Sequence, residues 1–86
     1  MIVYIPSPLR SYTKNAEKVQ TEGASLNEAL HGLDKTYPGI RFRMVNEQDR
    51  VREHIKIFVN EELTEDLSLR LSASDRIHII CALSGG

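Results

Sequence analysis

Apolar and polar residues alternate with the period of a strand near both ends of this chain and with the period of a helix in its middle. Residues 1–5 are rich in β-branched and aromatic side chains, which is typical of a strand. Residues 17–22 form a weaker second strand, and their polar alternation favours the edge of a sheet. Pro6 and Pro8 end the first strand, so the two strands are predicted to form a hairpin with a long loop.

The clearest helix signal begins at Ser25. Glu28 follows three residues later, which is the spacing of a capping box. Pro38 and Gly39 end the helical pattern. Between these limits, apolar residues recur at helical spacing and form one continuous stripe: Leu26, Ala29, Leu30, Leu33 and Tyr37. Because the helix has only one apolar face, we expect it to pack across a sheet.

The segment that follows the helix leaves two structures open. Residues 40–45 fit either a short strand or a helical turn, and residues 46–53 are nearly all polar, which predicts a mobile surface loop. The arginines of this part of the chain are Arg41, Arg43, Arg50 and Arg52. Carboxylates are interleaved with them, so we expect a solvated surface of mixed charge in preference to a phosphate site.

The last third of the chain predicts further strands. Residues 54–60 alternate so that Ile55, Ile57 and Val59 face the same way. After a turn at residues 60–62 comes a short irregular stretch, in which four leucines are expected to be buried anchors: Leu63, Leu67, Leu69 and Leu71. A tight turn at 72–75 leads to residues 76–83, which are apolar on both faces and therefore predict a central strand covered on one side by the helix.

The predicted element order is strand, strand, helix, strand, short strand, strand. This order indicates the α+β class and a β-grasp, ubiquitin-like fold, in which a mixed sheet carries one main helix across it. The first and last strands are expected to lie parallel at the centre of the sheet. Residues 1–82 are predicted to form the domain, and residues 83–86 a flexible C-terminal Gly-Gly tail.

Strand alternation also predicts what each sheet face carries. Cys81 is expected to point toward the core with Ile77 and Ile79, as an inert buried thiol. The opposite face is left with no segment to cover it, and its apolar and aromatic residues are Tyr4, Phe58, His78 and Ile80. Contiguous exposed apolar surface marks protein interfaces, so we predict a partner-docking face. The competing interpretation is ordinary cross-strand pairing of side chains on a sheet face that is exposed to solvent.

Composition narrows the function. The chain has 86 residues, with 11 Lys and Arg against 12 Asp and Glu, and this balance argues against nucleic acid as the main partner. A single cysteine provides no disulfide and no zinc spacing, and no phosphate loop, zinc-protease motif or triad is present, so neither catalytic residues nor a metal site is predicted. With no signal peptide and no run of membrane-spanning length, we expect a soluble cytoplasmic protein.

The last predicted strand leads into Ala82, Leu83, Ser84, Gly85 and Gly86. Five extended residues span roughly 17 Å, and the two glycines lack a Cβ that would block a narrow channel. A terminal α-carboxylate has a pKa of about 3.3 to 3.7, so at neutral pH it is an anionic oxygen nucleophile. The competing interpretation is a frayed terminus, because the last residues of a chain are commonly disordered.

Taken in order, these segments resemble the ThiS/MoaD family of ubiquitin-like sulfur carriers, and most of all its CysO-type branch. The matching segments are Ile5-Pro6-x-x-Leu9-Arg10, residues 26–33 and 37–40, residues 57–61, Asp75-x-Ile77-x-Ile79, and Gly85-Gly86. They span nearly the whole chain. One position departs from the family pattern, because Ser74 precedes Asp75 where glycine is frequent. This departure alters a turn and leaves the chemistry of the tail unchanged.

The resemblance implies a protein co-substrate and no enzyme. A ubiquitin-activating-type enzyme, with its own ATP and magnesium, would bind the sheet face and adenylate the Gly86 carboxylate. Sulfur transfer would then give a thiocarboxylate, which donates sulfur inside a second enzyme, with a cysteine-synthase-like acceptor favoured. Cysteine or a related metabolite is the first expectation for the product, and molybdopterin, thiamin and tRNA thiolation stay open. The second hypothesis is a ubiquitin-like modifier joined to protein lysines, or a non-covalent binding module.

Overall fold

The structure is a computed structural model that describes residues 1–82 of the chain. Within these residues the elements follow one another in the order β1, β2, α1, α2, β3, β4, β5, with one 3₁₀ turn at Ser7–Leu9. The strands are β1 (Ile2–Tyr4), β2 (Lys18–Gln20), β3 (Ile55–Val59), β4 (Glu62–Thr64) and β5 (Arg76–Cys81). The helices are α1 (Leu26–Thr36) and α2 (Ile40–Met44).

The strands form one mixed sheet in the order β2-β1-β5-β3-β4. β1 and β5 are parallel, with Val3 opposite Ile77, and the other neighbouring strands are antiparallel. This arrangement confirms the predicted hairpin of the first two strands and the parallel pair near the centre. Because parallel strands cannot be joined by a tight turn, the rest of the chain, including α1, connects them.

Local signals set the limits of α1 as predicted. The Oγ of Ser25 accepts a hydrogen bond from the N–H of Glu28 at 3.2 Å, and the Glu28 carboxylate accepts one from the N–H of Ala24 at 3.1 Å. The first bond satisfies a donor that the first helical turn leaves free, and the second ties the residue before the cap to the helix. Beyond the helix, Gly39 adopts a left-handed conformation with φ of 98°, which favours glycine. A Cβ there would also stand 3.2 Å from the Tyr12 ring.

The core lies between α1 and the sheet face below it. Its residues with no exposed surface include Leu26, Ala29, Leu30 and Leu33 of α1 and Val3, Ile57 and Ile77 of the sheet. Full burial of a large aliphatic side chain stabilises the fold by about 1.5–3 kcal/mol. Cys81 was predicted to join this face and is only half-buried at the margin of the core. It is the last residue of β5 and lines a surface cavity.

Of the two structures left open for the segment after α1, the helical turn is the one that forms. In α2, Ile40 and Met44 are four residues apart, so both face the core and are buried. Residues 46–53 form the predicted surface loop, in which the Asn46 side-chain oxygen accepts hydrogen bonds from two backbone N–H groups at 2.9 and 3.0 Å. Such a bond pattern is a side-chain mimic of a backbone turn. The mobility of this loop stays a prediction.

Two side chains depart from the predictions. Leu63 was expected to be a buried anchor and is 59% exposed, because it pairs with Phe58 on the sheet face away from α1. The other three leucines of that stretch are half-buried against the core. Arg41 was expected to be solvated, yet its side chain is only 15% exposed. Its terminal nitrogen donates to the side-chain oxygens of Asn27 at 2.7 Å and Asp49 at 3.4 Å.

Candidate functional site

The sheet face opposite α1 carries a row of side chains that crosses four strands. Tyr4 of β1 lies opposite His78 of β5, His78 lies opposite Phe58 of β3, and Phe58 lies opposite Leu63 of β4. The rings of Tyr4 and His78 stack with their centres 4.1 Å apart and their planes at 4°. Ile80, two residues further along β5, shares the face and is 47% exposed. We call these five residues the sheet patch.

The structure therefore places all four residues predicted for the docking face on one surface. Tyr4, Phe58 and His78 are direct cross-strand neighbours, and Ile80 extends the surface toward the end of β5. Sequence reasoning missed Leu63. The only sequence signal for Leu63 was the alternation within the three residues of β4. Alternation does not show which sheet face a residue occupies until the pairing of β4 with β3 is known. That this surface docks a partner stays a prediction.

Charged strand residues around the sheet patch carry one sign. Lys18 lies opposite Tyr4, Lys56 lies opposite Ile80, and Arg76 precedes His78 by two residues on the same side of β5. Within the five described strands, no acidic residue points to this face, because Glu62 lies opposite the buried Val59. A surface with an apolar centre and basic surroundings fits a partner whose matching surface is apolar at its centre and acidic at its rim.

The start of the predicted tail is fixed to the sheet by one further hydrogen bond. Beyond the end of β5, the N–H of Ala82 donates to the carbonyl oxygen of His54 at 2.7 Å. Ala82 itself is exposed. We call Ala82 the tail root. The other predicted tail residues, Leu83, Ser84, Gly85 and Gly86, lie outside the described residues, so the roles predicted for them stay predictions.

A surface cavity of about 300 Å³ lies next to the tail root. Cys81, His54, Tyr12 and Arg43 are among the residues that line it. Burial raises the pKa of the Cys81 thiol, which keeps the group protonated at neutral pH. A protonated thiol is a poor nucleophile, so the geometry assigns Cys81 no chemistry although the side chain is less buried than expected.

Other kinds of site receive no support from the part of the chain that the structure describes. Residues 1–82 contain no group of three or more His, Cys, Asp or Glu side chains that could hold a metal ion. Among the same residues, no helix has the length and apolar character to cross a membrane. Among the described residues, the sheet patch and the tail root are the candidate functional features.

The model of the ThiS family matches residues 3–86. The chain belongs to the ThiS family. Among curated relatives, this ThiS-family chain is similar to the sulfur carrier protein CysO of Mycobacterium tuberculosis, with 28% identity over 89 residues, 98% of this chain and 96% of the relative. The family resemblance seen in the sequence is thereby confirmed.

Solved structures confirm the β-grasp fold. A chain in the crystal structure of the Amycolatopsis orientalis BexX/CysO complex matches with a TM-score of 0.90 and 28% identity, over 99% of this chain and 98% of that one. Crystalline CysO of Mycobacterium tuberculosis matches with a TM-score of 0.89 and 25% identity, over 95% and 98%. The small archaeal modifier SAMP1 of Haloferax volcanii shares the fold, with a TM-score of 0.79 and 22% identity over 100% and 98%.

Proposed function

We propose that this ThiS-family protein is a sulfur carrier of the CysO type whose Gly86 carboxylate is converted to a thiocarboxylate. The observation that carries the proposal is the family match over residues 3–86, together with a similarity to CysO that extends over nearly the full length of both chains. In this role the protein is a co-substrate of other enzymes, and it acts in the cytoplasm, where we expect ATP and the sulfur-accepting enzyme.

The chemistry divides into an adenylyl-transfer step and an acyl-transfer step. In the first, a carboxylate oxygen of Gly86 attacks the α-phosphorus of ATP, and the bond to pyrophosphate breaks, which leaves an acyl-adenylate. In the second, sulfide attacks the activated carbonyl carbon, AMP departs with the electron pair of the C–O bond, and a thiocarboxylate and a proton remain. A carboxylate alone is unreactive toward sulfide, so the adenylate splits one difficult step into two easier ones. ATP and magnesium belong to the activating enzyme.

The described part of the chain supports this role through position. The sheet patch offers an apolar docking surface, and the hydrogen bond from Ala82 to His54 fixes where the tail starts relative to that surface. Four further residues reach at most about 14 Å when extended. A ubiquitin-activating-type enzyme that binds the sheet patch can thus receive the Gly86 carboxylate within that distance of Ala82. Glycines at the end of the tail suit a channel too narrow for a Cβ.

A second enzyme takes the sulfur. CysO has been crystallised in a complex with BexX, so a carrier of this fold is able to form a complex with another protein. For the present chain we favour a cysteine-synthase-like acceptor and a product that is cysteine or a related sulfur metabolite, as the similarity to CysO suggests. Molybdopterin, thiamin and thiolated tRNA are the alternative products. Neither nucleic acid nor a membrane is proposed as a partner.

Intact-mass spectrometry tests the proposal. Incubation with the activating enzyme of the same genome, ATP, magnesium and sulfide is expected to add about 16 Da, because one carboxylate oxygen is replaced by sulfur. Reactions without ATP, and a variant that lacks Gly86, are the controls, and the variant should keep the wild-type melting curve. An activating enzyme that leaves the mass unchanged would contradict the proposal. Conjugates to protein lysines without any thiocarboxylate would favour the ubiquitin-like modifier instead.

A further inference from the structure

Two arginine–aromatic pairs meet at α2. The helix contributes Phe42 and Arg43. Their partners are Arg52, from the loop after α2, and Tyr12, from the loop between β1 and β2. The guanidinium of Arg43 is 5.8 Å from the centre of the Tyr12 ring, and its Nε donates to the Tyr12 hydroxyl at 2.6 Å. The guanidinium of Arg52 is 4.5 Å from the centre of the Phe42 ring, and its Nε donates to the Phe42 carbonyl oxygen at 2.7 Å. We call these four residues the arginine patch.

The arginines that the sequence presented as one mixed-charge group are of two kinds. Arg41 is nearly buried and is neutralised by Asp49 at 3.4 Å. For Arg43 and Arg52, by contrast, no carboxylate of residues 1–82 lies within ion-pair distance, although Glu53 directly follows Arg52. Their hydrogen bonds to the described residues involve Nε alone. The terminal nitrogens of both side chains therefore remain available to a partner.

Phe42 adds an apolar element to this surface. α2 buries Ile40 and Met44, and this leaves Phe42 on the outer side of the helix with 54% of its surface exposed. Among residues 1–82, the other large apolar residues with comparable exposure, Leu63 and Ile80, belong to the sheet patch. The arginine patch is thus a second exposed surface, separate in residues and in secondary structure from the docking face.

The Arg43–Tyr12 pair of the arginine patch adjoins the tail root. Tyr12 and Arg43 line the same cavity as Cys81 and His54, and the carbonyl of His54 holds Ala82. A protein that takes the tail into a channel must bring the mouth of that channel close to Ala82. The rim of such a channel therefore comes within reach of the Arg43 guanidinium, and Arg52 lies two residues before His54 in the chain.

We propose that the arginine patch binds an acidic segment at the mouth of the tail channel of the activating enzyme. The inference rests on the proposed sulfur-carrier function and adds a second contact to the sheet patch. Guanidinium groups form paired hydrogen bonds with carboxylates. Here the Nε bonds and the ring contacts already hold both groups in place, so binding costs less side-chain entropy than it would for a mobile lysine. Phe42 supplies the apolar contact that accompanies such charges in protein interfaces.

The test uses pyrophosphate exchange by the activating enzyme of the same genome, with the whole carrier protein as substrate. R43Q/R52Q is compared with K35Q/R70Q, which removes the same charge from positions outside the patch. R43Q/R52Q is expected to raise KM about tenfold at low salt and to weaken the dependence of KM on salt, whereas kcat changes less than about twofold. K35Q/R70Q should behave as the wild type. R43K/R52K, which keeps the charge and loses the planar group, should give an intermediate KM.

The outcomes separate the two proposals. Exchange by the wild type with the same KM and salt response in R43Q/R52Q would overturn the arginine patch and leave the carrier function intact. A wild-type protein that supports no exchange would overturn the carrier function, and the inference with it. Melting curves of all variants show whether a raised KM reflects lost folding. The R43K/R52K variant repeats the comparison of KM with the wild type and disturbs the Tyr12 contact less.

Discussion

The two faces of the sheet are built from the same strands and both carry large apolar side chains, yet only one of them is a core. Along β5, Ile77 and Ile79 lie under α1 with at most 2% of their surface exposed, whereas His78 and Ile80 face outward and Ile80 is 47% exposed. Burial of the first pair removes apolar surface from water within the chain itself. The second pair leaves apolar surface exposed, and this is the surface on which we predict that a partner docks.

Apolar content alone therefore does not distinguish the buried face of the sheet from the open face in this protein. The distinction depends on what lies above each face, and α1 covers only one of them. The difference can be measured, because substitutions on the covered face should change the free energy of unfolding, while substitutions on the open face should change association with a partner.

The largest expected effect is on the covered face. Ile77→Ala should lower the free energy of unfolding by about 2–5 kcal/mol, because the side chain is fully buried and its loss leaves a cavity between α1 and the sheet. Ile80→Ala, three residues away on the open face, should cost about 1 kcal/mol or less. Urea unfolding followed by circular dichroism measures both values. Equal losses in the two variants would show that the faces are not as different as the structure indicates.

The reverse pattern is expected for binding. Replacement of Phe58 and Ile80 by Ser should weaken association with the activating enzyme by about tenfold or more, since apolar residues at the centre of an interface contribute most of its affinity. Titration calorimetry with the purified enzyme measures the change. A matched variant replaces the exposed Glu65 and Ala73 by Ser, outside the sheet patch, and should bind as the wild type does. Unchanged affinity of the Phe58 and Ile80 variant would rule out the sheet patch as the docking surface.

Features that depend on residues close together in the sequence were predictable, and features that depend on contacts between distant segments were not. The limits of α1 were predictable because the Ser25 cap and the glycine at position 39 act within a few residues of the helix. The exposure of Leu63 was not predictable, because it depends on the register between β3 and β4. The burial of Arg41 was not predictable either, because it depends on a hydrogen bond to Asn27 of α1. For the site, strand alternation predicted four of the five residues of the sheet patch, because alternation is decided within each strand. It did not predict Leu63.

The arginine patch shows the limit of pattern reasoning most clearly. Arg43 meets Tyr12, a residue from the loop between β1 and β2, so their pairing exists only after the fold has formed. In the sequence, alternating charges around Arg43 and Arg52 favour an ordinary solvated surface. Only the packing of α2 separates Arg41, which faces inward, from the two arginines whose terminal nitrogens stay available to partners.

A smaller effect is expected at the start of the helix that covers the sheet. Ser25→Ala removes the oxygen that accepts from the Glu28 N–H, and should lower the free energy of unfolding by about 1 kcal/mol. Ser25→Asp keeps an acceptor at the same place and should restore most of the loss. Urea unfolding of both variants measures the difference. A Ser25→Ala variant as stable as the wild type would mean that the backbone bonds of the first turn hold α1 without the cap.

The smallest expected effect concerns the turn that sets which face each residue of β5 occupies. The Asp75 carboxylate accepts hydrogen bonds from the Ser72 N–H at 2.8 Å and from the Asn60 side chain at 2.8 Å, and the Asn60 side-chain oxygen accepts from the Arg76 N–H at 3.0 Å. The bonds that the carboxylate accepts, the Ser72 backbone bond first and the Asn60 side-chain bond second, hold the pKa of Asp75 below its ordinary value. Together, the three bonds act on the position of the turn. They tie the turn before β5 to the end of β3, and thereby support the register that separates the faces.

A lowered pKa in the folded state means that the ionised carboxylate stabilises the fold at neutral pH. This contribution is fully present above the unfolded-state pKa of about 3.9 and is lost as the pH falls through the lower pKa of the folded state. Asp75→Asn should therefore reduce stability slightly at neutral pH and flatten the decline of stability below about pH 4. Thermal melts across this pH range measure both effects. Parallel losses of stability in the wild type and the Asp75→Asn variant on acidification would contradict this prediction. In that case the Asp75 carboxylate does not support the register, and only the backbone pairing of β3 with β5 sets the two faces.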